Sequence, residues 1–139
     1  MEYLSEDPKE TKEIAENIAK GLKKERIFAL KGDLGAGKTA FVQGFAKGLG
    51  ISQKITSPTF VLMNKFSAKN KKNFYHFDLY RIKNKKELKN LFIEDILLNK
   101  NNVVCIEWPE RIKDILPEET IYIKIKILSE NKRKIIYGE

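Results

Sequence analysis

A chain of 139 residues, 42% hydrophobic and 33% charged, can bury roughly two-thirds of its unfolded surface and is too apolar to stay wholly disordered, so one self-supporting domain is expected. No apolar run approaches the roughly 20 residues that cross a bilayer, and residues 1–13 are acidic and polar where a signal peptide is basic and then apolar, so a cytoplasmic chain without a membrane partner is expected. The formal charge of +8 is open to two readings, a nucleic-acid partner that releases counterions or a compositional bias that solvates the surface, because the lysines are spread over the whole chain.

In chain order, Asp7-Pro8-Lys9-Glu10 has the form of a helix start, with Asp7 as N-cap, Pro8 at the first helical position and Glu10 completing a capping box. Ile14, Ile18 and Leu22 recur every four residues with Ala15 and Ala19 beside them, which predicts a packing helix that ends near Gly21. Residues 27–30 form a short apolar strand that runs straight into Gly32-Asp33-Leu34-Gly35-Ala36-Gly37-Lys38-Thr39, and residues 40–49 read as a helix stopped by Gly48 and Gly50.

That glycine-rich octet matches the Walker A pattern and predicts a P-loop. Glycines turn backbone N–H groups inward around a phosphate without Cβ clashes, and the helix that follows aims its positive end at the same anion. Lys38 then reaches the outer phosphates, and the Thr39 hydroxyl is offered to magnesium. The placement between an apolar strand and a helix is the one that this chemistry needs.

Residues 60–66 and 74–80 are rich in aromatic and β-branched residues and predict a hairpin across the polar residues 69–73. Residues 85–98 predict one or two short helices. Val103-Val104-Cys105-Ile106 reads as a buried central strand, in which Cys105, the only cysteine, is a small packed hydrophobe rather than a nucleophile, and no disulfide or zinc framework is possible. Ile121, Ile123, Ile125 and Ile127 alternate with polar residues and predict a strand that pairs with residues 134–137 through a turn at 129–132.

A P-loop that hydrolyses ATP also needs acidic groups at the ends of neighbouring strands to hold magnesium and orient water. Glu107 closes the run 103–106 in the manner of a Walker B carboxylate, and Asp78 closes residues 74–77; an ordinary strand-end acid is the alternative for each. Thr56-Ser57-Pro58-Thr59 occupies the place where P-loop switch proteins put a γ-phosphate sensor, or is a plain turn. His76, the sole histidine, is either a general base or a hydrogen-bonded packing residue, and Trp108 is either a core lid or a partner contact. Arg81 is the arginine nearest to these acids in sequence.

Taken in series, the Walker A octet, Ser57-Pro58-Thr59-Phe60, His76-Phe77-Asp78-Leu79-Tyr80-Arg81 and Ile106-Glu107-Trp108-Pro109-Glu110 resemble the TsaE family, formerly YjeE, over nearly the whole chain. The resemblance implies a P-loop NTPase-like three-layer α/β fold, with a largely parallel central sheet and antiparallel additions. It also implies an ATPase with ATP and Mg2+ as cofactors, acting with TsaB and TsaD proteins that place a threonylcarbamoyl group on the adenosine beside the anticodon of tRNA.

Residue by residue, the resemblance implies that Asp33, Leu34, Gly35, Ala36, Gly37, Lys38 and Thr39 bind nucleotide, with Thr11 and Arg133 nearer its base. Thr39 and Glu107 hold the metal, Asp78, Glu107 and Lys38 are catalytic, and Ser57, Thr59 and Trp108 serve switching or partner contact. Two positions depart from the family, Phe92 where many relatives have glycine and Phe66 where many have tyrosine. Two rival activities remain, a small-molecule kinase and a nucleotide-sensing adaptor, although no arginine-rich lid of the kind a kinase needs is visible.

Overall fold

The computed structural model describes residues 1–55, 63–68, 71–84, 86–89 and 92–138. Helix α1, Pro8–Lys20, starts as expected, with the Asp7 carboxylate accepting from the Glu10 backbone N–H at 2.8 Å and Pro8 in the first turn. Its most buried row is Thr11, Ala15 and Ala19, and Ile14, Ile18 and Leu22 lie partly buried beside it. The reason is the neighbouring helix α2, Lys38–Gly48, which approaches so closely that a Cβ on Gly44 would overlap the Lys12 carbonyl and one on Gly48 would lie 2.6 Å from the Ala19 Cβ. Small residues on both helices make that approach possible. Gly48 is the last residue of α2, as expected, and packs on α1 as well; the chain turns just beyond, at Gly50, with φ of 82°.

The described strands are β1 Glu2–Ser5, β2 Ile27–Lys31, β3 Met63–Ser67, β4 Asn73–Asp78, β5 Asn102–Glu107, β6 Ile121–Ile127 and β7 Arg133–Tyr137. They form one seven-stranded sheet in the order β1-β7-β6-β2-β5-β4-β3. Strands β6, β2, β5 and β4 run parallel, while β1 on β7, β7 on β6 and β3 on β4 are antiparallel. This is the mixed α/β sheet with a parallel centre that the sequence predicts, and the described residues within 85–98 include two short helices, α3, Lys86–Lys89, and α4, Ile93–Leu98. Strand β1 was not foreseen; of its four residues only Tyr3 and Ser5 turn inward.

Strand β5 is buried at every position, as a central parallel strand covered on both faces must be. One face packs under α1 and α2, where Phe28, Phe41, Phe45 and Phe74 meet with ring centroids 4.9 to 6.2 Å apart. The other carries Ile27, Tyr75, Phe77, Val104 and Ile106 against Leu88, Ile93, Leu97 and Ile112. Full burial of one such side chain is worth about 1.5–3 kcal/mol, so the two layers hold the strand ends rigidly. Cys105 is fully buried in the first layer, as expected. No helix among the described residues is long and apolar enough to cross a membrane.

Candidate functional site

Parallel pairing brings the C-terminal ends of β2, β4 and β5 to one edge of the sheet. Asp78 is in register with Glu107, and Glu107 with Leu30, one residue before β2 ends at Lys31 and leads into the glycine-rich loop. Two acids 29 positions apart in sequence therefore lie side by side beneath that loop. A pocket of about 310 Å³ opens there, lined by Leu34, Gly35, Gly37, Lys38, Thr39, Asp78, Tyr80, Glu107 and Trp108. Open α/β sheets place their ligand crevices at this end of the strands.

The loop is held in the shape of an anion cradle. Gly35 and Gly37 have φ of 78° and 98°, and a Cβ at either would meet nothing within 4 Å, so at these two positions the backbone itself faces open space. Gly37 caps α2 without a side-chain hydrogen bond, which leaves the first N–H groups of that eleven-residue helix for a ligand. Ala36 N–H closes the loop internally on the Asp33 carbonyl at 3.0 Å.

Lys38, 6% exposed, donates to the Gly32 carbonyl at 2.7 Å and lies over the Trp108 ring. Burial pulls its pKa below the ordinary lysine value, against the opposing attraction of Glu107 and Asp78. The Asp78 carboxyl is raised, first by burial and then by the Glu107 charge, although Tyr80 N–H donates to its Oδ1 at 3.1 Å. Glu107, 3% exposed, accepts at Oε2 from His76 Nε2 at 2.6 Å. His76 is therefore a buried, hydrogen-bonded histidine, the packing reading with a specific partner. Trp108 takes a left-handed backbone, φ 61°, and its ring centroid is 5.0 Å from that of Tyr80, forming an aromatic wall.

Arg133 reaches the loop from the β7 side. Its Nε donates to the Ala36 carbonyl at 3.0 Å and its Nη2 to the Gly35 carbonyl at 3.1 Å, while Nη1 donates to the carbonyls of Ser129, Glu130 and Lys132. Thr11 is buried within α1, 1% exposed, with its hydroxyl 2.7 Å from that of Ser5. Ser57 and Thr59 lie outside the described residues. Sequence reasoning missed Tyr80 as part of the pocket and His76 as the partner of Glu107; the register of β4 on β5 is what joins them, and no local pattern encodes it.

The threonylcarbamoyl adenosine biosynthesis protein TsaE family model matches residues 5–135. A Rickettsia typhi relative, tRNA threonylcarbamoyladenosine biosynthesis protein TsaE, is 44% identical over 126 residues, covering 90% of this chain and 85% of the relative. The Bacillus subtilis protein of the same name is 36% identical over 137 residues, covering 99% and 84%. The crystal structure of Bacillus subtilis YdiB superposes with a TM-score of 0.72 at 32% identity, covering 99% of this chain and 83% of that one. With its sheet order, loop and paired strand-end acids in place, the chain belongs to the TsaE family of tRNA threonylcarbamoyladenosine biosynthesis.

Proposed function

We propose that the chain is a Mg-dependent ATPase that hydrolyses ATP to support turnover of the TsaB and TsaD pair in threonylcarbamoyl modification of tRNA. The observation that carries this reading is the registered pair Asp78 and Glu107 sharing one pocket with Lys38 and the left-handed Gly35 and Gly37. The residues fit a triphosphate: an open backbone cradle, an uncapped helix N-terminus and one buried ammonium.

Lys38 leaves the Gly32 carbonyl for the outer phosphates, whose negative charge offsets the burial that disfavours its ammonium form. Thr39 and Glu107 are the residues that would hold magnesium, whose chemistry when bound is to withdraw charge from phosphate oxygens. Asp78, with its raised carboxyl, is suited to orienting the attacking water and accepting its proton. Trp108 and Tyr80 wall the pocket against bulk solvent.

An arginine finger contributes about 10³ to 10⁵ in rate in many P-loop enzymes, often from a second protein. Arg133 is engaged on five carbonyls and no arginine lines the pocket among the described residues. The isolated chain is accordingly a slow ATPase, accelerated when the pair docks. Steady-state phosphate release at fixed salt, with and without TsaB and TsaD, tests this. Acceleration with free phosphate as product supports it, and a phosphorylated small molecule as product would assign the kinase activity instead.

A further inference from the structure

We infer that His76 is the positioning residue for Glu107: it holds one carboxylate oxygen so that the other is presented to the metal-bearing side of the pocket. This rests on the Mg-dependent reading above and deepens it.

His76 is fully buried in β4 on the same sheet face as Asp78, two residues on, and in register with Cys105 of β5. Its Nε2 meets Glu107 Oε2 at 2.6 Å, with side-chain exposures of 0% and 5%. The carboxylate accepts, so Nε2 carries the shared proton. Nδ1 is the one buried side-chain nitrogen or oxygen without a hydrogen-bond partner among the described residues. A polar atom left unpaired in a layer of Phe74, Phe28 and Leu30 costs stability that an apolar residue would not. The imidazole is retained there at a cost, and the only bond it makes goes to Glu107.

The two acids are thus fixed by different means. Asp78 is held by its own turn through Tyr80 N–H, whereas Glu107 has three side-chain torsions to order and is followed at once by a strained Trp108. A short charge-assisted hydrogen bond in a dry site orders them. Partners of this kind, one bond behind a metal ligand, typically change metal affinity by 10–100-fold when removed.

The test uses the intact chain and reads binding rather than turnover. Calorimetry gives the ATP affinity without magnesium, and Mn2+ titration of the ATP-bound protein by electron paramagnetic resonance gives the metal affinity. In His76→Leu the metal affinity falls 10–100-fold while metal-free ATP affinity stays within about twofold of wild type. His76→Gln, whose amide nitrogen reaches the place of Nε2, restores metal affinity to within a few-fold, and His76→Asn, one bond shorter, does not. The Gln and Asn pair decides the matter even where the Leu variant fails to fold. Equal metal affinity in the Gln and Asn variants, or wild-type metal affinity in His76→Leu, overturns the inference while leaving the ATPase reading standing. Absence of any ATP-dependent Mn2+ binding in the wild-type chain overturns both.

Discussion

The Lys38 ammonium stands 3.8 Å from the centroid of the Trp108 ring and is bonded at the same time to the Gly32 carbonyl, so the cation of the loop rests on an internal aromatic and carbonyl seat. A cation over an indole face is worth about 0.5–2 kcal/mol, far less than a buried triphosphate offers the same group. Under the proposed ATP-binding reading, the seat and the phosphate compete for one ammonium.

Trp108 is the only tryptophan in the chain, and its emission therefore reports where Lys38 is. Titration with ATP should change the emission of the wild-type protein. Lys38→Ala should start with altered emission, respond little to ATP, and bind ATP roughly 10- to 100-fold more weakly, the loss expected for one charge-assisted phosphate contact. Unchanged emission on saturation with ATP would contradict the competition.

Arg133 separates two roles that a nucleotide titration alone confuses. Its fork binds the carbonyls of Gly35 and Ala36, which ties down the loop backbone, and a guanidinium is the side chain built for such a fork. Arg133→Lys should weaken inorganic tripolyphosphate as much as ATP when both are measured by calorimetry, because the damage is to the cradle. Loss of ATP affinity with tripolyphosphate unaffected would mean that Arg133 acts on the base, as the family resemblance implies.

Asp78 carries a stability signature with a definite sign. A carboxyl whose pKa is raised on folding stabilises the fold below its unfolded value, near 3.9, and loses that contribution as pH rises through the folded value. Asp78→Asn cannot titrate. Its Tm relative to wild type should therefore increase as pH rises from about 3.5 to 7, measured by scanning calorimetry, while turnover falls by about 10²–10⁴. A Tm difference that shrinks over this range would contradict the assignment of burial as the main cause of the shift.

Phe92 takes a left-handed backbone, φ 53° and ψ 35°, with 67% of the residue exposed. The conformation costs a non-glycine residue about 1–2 kcal/mol, and the entropy of an unfolded glycine returns about 0.5–1 of that. Phe92→Gly should raise stability by up to about 1 kcal/mol, read from denaturant midpoints. Destabilisation would mean that the exposed ring makes contacts of value. The departure from the family at this position thus leaves the backbone in the conformation that glycine would choose.

Where local chemistry decides structure, the chain was readable. Asp7-Pro8 sets the start of α1, and the strand, loop and helix order around Gly32 follows from periodicity alone. The unbroken apolar run 103–106 predicts the buried β5, which extends from Asn102 to Glu107. Where a distant partner decides, it was not. Strand β1 pairs with β7 from the opposite end of the chain, and its one large aliphatic residue, Leu4, is 63% exposed, so no inward apolar alternation marks it. The same holds for the packing of Gly48, which depends on Ala19 of α1, and for the bond from His76 to Glu107, which depends on strand register.

Single-turnover release of phosphate from ATP by the purified chain, followed with magnesium and with chelator in wild type and in Glu107→Gln, tests the proposed hydrolysis site most directly. The wild type should release free phosphate slowly and only with magnesium, and Glu107→Gln should retain metal-free ATP binding while losing at least about 100-fold in rate. Magnesium-dependent release at the wild-type rate by Glu107→Gln, or equal release with chelator, would contradict the assignment of this pocket as a Mg-ATP hydrolysis site.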